Sequence, residues 1–262
     1  MIDPQTLAAA LPQWGAMLAI AIAAGFVHGF IGVGFPLFAT PLFGLLFGWK
    51  SAVALLVLPT WLVTLATVVA YRGQADLRGA LRVYWPLLAA MPFGMAAGVH
   101  ALHAVRADVL MLAMAALLVT YLLLDRLGHT DLPWARAHPT LLAAPFGLLA
   151  GLTEGALNVA GPVLLMFFLL VELPVATTIV VLGWLFIAGK TLQAAMMAPR
   201  GAFDATVLAA GLPLAAAGTG GLLLGLRLRA RFDPSRYRGW LKATLAAMAA
   251  WLVLRVAIGG AS

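Results

Sequence analysis

The chain has 262 residues, of which 64% are hydrophobic and 10% are charged, and its formal net charge is +7. Soluble domains carry about 25% charged residues. A water-soluble globular fold is therefore excluded, because a chain of this length could not bury so much apolar surface. The basic residues lie in short gaps between apolar runs, which argues against a nucleic-acid partner. No cysteine is present, which excludes disulfides and thiolate metal sites.

The chain starts without the features of a cleaved signal peptide. Such a signal needs a positively charged start, whereas the first 49 residues contain no Lys or Arg and Asp3 lies near the beginning. We therefore expect the N-terminal segment to be retained.

Long apolar runs then follow one another along the chain. They lie at 14–31, 36–48, 52–70, 84–104, 108–124, 140–153, 159–171, 174–197, 205–225 and 239–258. Only helices or a closed barrel can place backbone against lipid, and these runs are continuous rather than alternating. The pattern predicts an all-α polytopic membrane protein.

Two places in this series do not fit simple crossings. Segments 36–48, 140–153 and 159–171 are short for a bilayer core of about 30 Å. A single helix over 14–48 would be about 50 Å long. Gly, Pro and Asn residues interrupt both places: Gly32, Gly34 and Pro36 in the first, and Gly155, Asn158, Gly161 and Pro162 in the second. Each place predicts a broken or re-entrant helical hairpin followed by three transmembrane helices.

The basic residues sort onto two sides if each hairpin returns to its starting side. One side collects Arg72, Arg78, Arg82, Arg126, Arg136, Arg227, Arg229, Arg231, Arg236, Arg238 and Lys242. The other collects only Lys50, Arg106, Arg200 and Arg255. Because Lys and Arg are enriched in cytoplasmic loops, we expect the first side to be cytoplasmic. We predict a multi-pass protein of a bacterial inner membrane with both termini outside the cytoplasm.

Two halves, 1–128 and 129–262, carry similar motifs in the same order. Gly25-x-x-x-Gly29 answers Gly147-x-x-x-Gly151, and an Arg-Gly-x-x-Asp loop occurs at 72–76 and again at 200–204. The first loop falls on the inner side and the second on the outer side. The halves are therefore predicted to be inverted repeats, as is common in secondary transporters, which bind substrate at broken helices near the midplane.

The glycine-rich breaks are candidate substrate sites. Free N–H groups at half-helix N-termini favour anions, and Gly32, Gly34, Gly155 and Gly161 would let a ligand approach the backbone, beside Pro36. The alternative is that these glycines only allow helices to pack closely.

Two ionisable residues stand out within the apolar segments. Glu154 can carry a proton, pair with Lys190 or brace the hairpin with a hydrogen bond, since an intramembrane carboxylate suggests function by default. Lys190 can attract an anion, pair with Glu154 or extend to the membrane interface.

Four further residues complete the candidate set. Asn158 can bind substrate, cap a half-helix or do both. His28 can titrate or join two helices by a hydrogen bond. Trp61 and Trp184 fall at similar places in the two halves, where they can stack on substrate or simply pack.

These features resemble the TauE/SafE family of sulfite and organosulfonate exporters over nearly the whole chain. The resemblance is carried by GFVHGFIGVGFPLFATP, GLLAGLTEGALNVAGP, the RGQAD and RGAFD loops and LRLRARFDPSRYRGW. The family usually shows a Gly-x-Gly-Gly-Gly run at each break. This chain instead has Phe35 and Pro36 at the first, and Glu154, Gly155, Ala156 and Asn158 at the second.

The resemblance implies a transporter of small sulfur-containing anions such as sulfite or sulfoacetate. We expect coupling to H⁺ through Glu154, with no cofactor and no bound metal. An anion channel and a transporter of small carboxylates remain alternatives. A membrane-embedded enzyme is disfavoured, because serine occurs only at Ser51, Ser235 and Ser262.

Overall fold

The computed structural model describes residues 4–32, 34–71, 77–126, 133–172, 175–203, 205–229, 231 and 234–258. Over these residues the chain is helical and contains no β-strand. The helices are α1 (Pro4–Ile31), α2 (Phe35–Phe47), α3 (Trp49–Ala70), α4 (Leu77–Ala104), α5 (Ala107–Arg126), α6 (Pro133–Ala137), α7 (Pro139–Leu157), α8 (Gly161–Leu170), α9 (Val175–Met197), α10 (Ala205–Arg229) and α11 (Pro234–Ala257). The loop at 72–76 and Asp204 lie outside the described residues.

Seven of the described helices are long and apolar enough to cross a bilayer: α1, α3, α4, α5, α7, α9 and α10. Helices α2 and α8 have only 13 and 10 residues. Helix α11 has 24 residues and buries Leu245, Ala249 and Leu252, but it is not among the seven. The prediction of an all-α polytopic membrane protein is confirmed, while a crossing by α11 stays a prediction.

Both predicted hairpins are present, and each returns to the face where it starts. Trp14 of α1 and Phe47 at the end of α2 line the same cavity. In the second hairpin, Arg136, just before α7, donates a 2.9 Å hydrogen bond to Glu172, which follows α8. The two arms of each hairpin therefore end on the same side of the helix bundle.

The second break is shorter than the sequence suggested. Helix α7 continues through Glu154 and Gly155 to Leu157, so the break begins at Asn158. Gly155 stays helical because it packs against α4, where a Cβ would lie 2.7 Å from the Val99 nitrogen. Its role is the close packing of two helices rather than the break itself.

Glycines set the contacts of the two most closely packed helix pairs. A Cβ on Gly25 or Gly29 of α1 would overlap backbone carbonyl groups of α10. A Cβ on Gly151 of α7 would likewise overlap the backbone of α4, and a Cβ on Gly98 of α4 would overlap the backbone of α7. Small residues of this kind let backbones approach in membrane proteins, and here they fix α1 against α10 and α7 against α4.

The two halves share this pattern at a constant spacing. Helix α1 ends at Ile31 and α7 at Leu157, 126 positions later, and the starts of α2 and α8, Phe35 and Gly161, are also 126 apart. This register pairs Gly25 with Gly151, whereas the sequence motifs paired it with Gly147. Glycine recurs every fourth residue in α7, so sequence alone could not choose between them. The opposite orientation of the two halves stays a prediction.

Candidate functional site

The two helix breaks lie next to each other in the fold. Gly34 and Pro36 of the first hairpin and Gly161 and Pro162 of the second line one small cavity of about 20 Å³. A water needs roughly 10–15 Å³ measured in this way. The cavity therefore has room for a water, while a larger anion would need the hairpins to separate.

A buried ion pair lies beside the second break. The Lys190 Nζ atom of α9 is 2.5 Å from Glu154 Oε1 of α7, and the two side chains are 0% and 1% exposed. A buried charge is strongly unfavourable unless it is paired. The structure thus brings together the two ionisable residues singled out from the sequence, and the Lys190 ammonium lies inside the protein rather than at its surface.

Lys190 has two further partners, both uncharged. Its Nζ donates to Asn158 Oδ1 at 2.5 Å and to Gln193 Oε1 at 2.9 Å. With Glu154 Oε1 as the charged neighbour, three protein oxygens surround the ammonium group. Gln193 lies one turn further along α9 and is fully buried. An anion that binds the ammonium group must therefore replace one of these three oxygens.

Glu154 also braces the break itself. Its Oε2 accepts the main-chain N–H of Ala160, at 2.7 Å, immediately before α8. Its main-chain oxygen accepts the Gln193 side-chain amide at 2.9 Å. The ion pair and the bracing hydrogen bond, which were alternatives on the sequence, are therefore made by different oxygens of the same carboxylate.

Asn158 connects the second break to the first hairpin. Its backbone is left-handed, with φ of 64°, and its N–H caps α7 by donating to the Glu154 carbonyl at 3.0 Å. Its side-chain Nδ2 donates to Thr40 Oγ1 of α2 at 2.9 Å. Capping and polar contact are both observed, and the second contact spans the two halves of the chain.

His28 has a comparable position at the first break. Its Nδ1 accepts the Phe35 N–H, the first amide of α2, at 3.1 Å, and its Nε2 lies 3.2 Å from Thr67 Oγ1. Thr67 Oγ1 donates to the Val63 carbonyl at 2.9 Å. His28 Nε2 must then carry the proton, so a neutral His28 holds α1, α2 and α3 together. His28 and Glu154 are 126 positions apart, and each accepts an amide at the start of a half-helix.

The remaining candidates, Gly32, Gly34, Trp61 and Trp184, lie in several different parts of the fold. Gly32 and Gly34 have φ of 101° and 127°, a backbone conformation that favours glycine, so both are needed to form the first break. Trp61 donates from Nε1 to Thr191 Oγ1 at 3.0 Å, joining α3 to α9. Trp184 is 42% exposed on the surface and does not join the buried group.

Sequence reasoning missed two members of this region. Thr40 is fully buried in α2 and bonds to Asn158, and Trp49 donates from Nε1 to the Ala156 carbonyl at 3.1 Å. A hydroxyl in a short apolar helix was the available signal for Thr40. Nothing in the sequence indicates that Trp49 reaches the end of α7, because the two residues come from different halves.

The sequence model of the family described as Sulfite exporter TauE/SafE matches residues 17–252, which is nearly the whole chain. Comparison with curated proteins and with solved structures gives no match.

Proposed function

Because the chain belongs to the sulfite exporter TauE/SafE family, we propose that it is a secondary transporter of a small anion. The proposed substrate class is a sulfur-containing oxyanion or organosulfonate, such as sulfite or sulfoacetate. The observation that carries the proposal is the Glu154–Lys190 ion pair at the break of α7 and α8. A fully buried ammonium group with an exchangeable acidic partner is suited to binding an anion inside a membrane.

The anion and the Glu154 carboxylate compete for Lys190 in this mechanism. When Glu154 is ionised, it compensates the Lys190 charge and leaves little attraction for a substrate. Protonation of Glu154 removes that compensation, and an anion can then take the place of Oε1 beside Nζ. Release of the anion restores the ion pair and returns the proton. Proton movement and anion movement are coupled because one cation serves both partners.

Alternating access requires the two hairpins to move relative to each other. The breaks are in contact through Asn158 and Thr40, and the cavity between them is small. We propose that the halves 1–128 and 129–262 are inverted repeats, and that one rocks against the other to open the site to each side in turn. We place the protein in a bacterial inner membrane with both termini outside the cytoplasm.

Flux through purified protein in liposomes tests the proposal. The panel comprises sulfite, sulfate, thiosulfate, sulfoacetate and small carboxylates, each measured with and without an imposed pH gradient. Saturable flux of a sulfur anion that responds to the gradient is expected. Lys190→Met should abolish it, while the surface variant Trp184→Phe serves as the control for reconstitution. Non-saturable flux would indicate a channel, and flux of carboxylates alone would contradict the substrate class.

A further inference from the structure

An open cavity of about 580 Å³ lies on the face where the first hairpin starts and ends. Its polar lining includes Gln13, Lys50, Ser51, His103, Arg200 and Thr206. The volume is within the range of about 300–1,000 Å³ that is usual for small-molecule sites. We call this cavity the outer vestibule.

The cations of the outer vestibule have no acidic partner among the described residues. Lys50 Nζ donates to the His103 carbonyl at 3.0 Å, and Arg200 donates to the Met196 carbonyl. The described lining contains no Asp or Glu. On the following turn, Arg106 is paired with Asp108 at 2.8 Å and is neutralised. Among the described lining residues, the charged side chains are therefore both positive, those of Lys50 and Arg200.

Helix ends do not cancel this charge. The C-terminal ends of α2, α4 and α9 and the N-terminal ends of α3 and α10 meet around the vestibule. Each end carries about half an elementary charge, negative at the C-terminus and positive at the N-terminus. Three negative ends against two positive ends leave about half a negative charge, which is smaller than the two positive charges of Lys50 and Arg200.

The vestibule is also close to the buried ion pair along one helix. Met197 of α9 lines the vestibule, and Lys190 lies two turns earlier on the same helix, about 10 Å away at 1.5 Å per residue. An anion held at the vestibule is therefore separated from Lys190 by roughly two helical turns.

We propose that the outer vestibule is an anion-recruiting site, in which Lys50 and Arg200 concentrate an oxyanion or organosulfonate from the external side before it reaches Lys190. The identity of the anion rests on the proposed function, whereas the positive potential does not. Clefts lined by one sign of charge raise the local concentration of the opposite ion, and this effect weakens as salt is added.

A single cysteine reports the potential without any transport. The chain has no native cysteine, so Ser51→Cys introduces the only thiol, at a position that lines the vestibule. Two membrane-impermeant methanethiosulfonates are added from outside, one with a sulfonate group and one with a quaternary ammonium group. The ratio to be measured is the labelling rate of the sulfonate reagent over that of the ammonium reagent, divided by the same quotient for a small free thiol. It should exceed one, because the vestibule attracts the anionic reagent, and it should approach one at high salt.

Lys50→Gln together with Arg200→Gln should reduce this ratio about fivefold at low salt. The control is Arg106→Gln together with Asp108→Asn, because it removes a neutral ion pair from the same face but outside the lining of the vestibule, and it should leave the ratio nearly unchanged. In flux assays the double variant should raise KM for the anion with kcat preserved. Thermal unfolding of each variant checks that the fold is retained.

The outcomes separate the two proposals. A ratio near one, a ratio that the double substitution does not change, or labelling only from the cytoplasmic side overturns the recruiting site, whatever the flux assay gives. A high ratio that depends on Lys50 and Arg200 supports it. If that ratio is found and the panel shows no anion flux, the proposed transport function is contradicted while the anion site stands.

Discussion

The side-chain amide of Asn158 donates a 2.9 Å hydrogen bond to the hydroxyl of Thr40, and its oxygen accepts from Lys190 at 2.5 Å. One residue therefore joins the break of the second hairpin, the short helix of the first and the buried cation. Any movement of one hairpin against the other must break these bonds or carry all three partners together.

Substitution of Asn158 separates its backbone role from its side-chain role. Asn158→Gly keeps access to the left-handed backbone but removes both side-chain bonds, so we expect the protein to fold while anion flux falls at least about tenfold, a loss of about 1.4 kcal/mol. Asn158→Ala removes the same bonds and adds about 1 kcal/mol of backbone strain. Thermal unfolding in detergent and flux in liposomes measure the two effects.

Thr40→Ser is the control for this pair, because it keeps the hydroxyl group that accepts from Asn158. It should transport nearly as the parent chain does, whereas Thr40→Val should not. Equal flux through Thr40→Val and Thr40→Ser would show that the bond between the hairpins is unimportant for transport.

Glu154→Gln should remove the response of anion flux to a pH gradient. The amide cannot ionise, so no proton is released when the anion leaves Lys190. The substitution also leaves Lys190 without its charged partner, which typically costs about 3–5 kcal/mol for a buried pair. Flux must therefore be normalised to folded protein, measured by size-exclusion chromatography and thermal unfolding.

The double variant Glu154→Gln with Lys190→Met tests the energetic part of this argument. Replacing both members of a buried pair is often neutral or stabilising, so the double variant should be more stable than Glu154→Gln alone. It should not transport. If anion flux through Glu154→Gln still responded to a pH gradient, Glu154 would not be the residue that carries the proton.

Gly25→Ala should strongly reduce the yield of folded protein. A Cβ at this position would overlap the backbone of Gly218 in α10, and a backbone cannot move aside as a side chain can. Overpacking of this kind costs about 1–3 kcal/mol or more. Gly220→Ala is the matched control on α10, since its Cβ meets nothing within 4 Å. That variant should be stabilised by about 0.5–1 kcal/mol, and thermal midpoints of both report the difference.

Trp61→Phe should weaken the contact between α3 and α9. It removes the 3.0 Å bond from Nε1 to Thr191, which is worth about 1 kcal/mol. Trp184→Phe is chemically identical but affects a ring that is 42% exposed, so its effect should stay within about 0.5 kcal/mol. Comparable losses of stability and flux for the two variants would mean that both rings contribute to the same site.

The long apolar helices and the two interrupted hairpins could be predicted from the sequence, and the pairing of Glu154 with Lys190 was among the alternatives that it offered. These features depend on local signals: apolar runs, glycine and proline at the breaks, and the cost of isolated charges in a membrane. The end of α7 was placed too early, because Gly155 has the composition of a break but the environment of a helix contact. Its conformation is decided by Val99 and its neighbours on α4, which a local pattern does not contain.

Contacts between the two halves of the chain could not be predicted from the sequence either. Thr40 and Asn158 are 118 positions apart, and Trp49 and Ala156 are 107 apart. The hydrophobic periodicity within one segment carries no information about contacts between residues so far apart in the chain. The matching register of the halves was obscured for a related reason, since Gly147, Gly151 and Gly155 repeat every fourth residue and offer several equally good alignments.

Orientation in the membrane is a separate prediction. We consider a reporter that works only outside the cytoplasm and is fused after Ser262. It should be active, because Lys and Arg concentrate on the opposite side of the membrane. A reporter that requires the cytoplasm should be inactive at the same position. The reverse pair of results would place the outer vestibule in the cytoplasm.

The ion pair has a consequence for the effect of membrane voltage. Glu154 and Lys190 together carry no net charge, so returning the unloaded site across the membrane moves no charge through the field. With Glu154 protonated and a monovalent sulfonate bound, the site is again neutral. A divalent anion adds one uncompensated charge, which is worth about 2.3 kcal/mol per 100 mV. The rate of sulfonate transport should therefore be independent of the membrane voltage. Divalent sulfite should instead be driven out of a cell whose interior is negative.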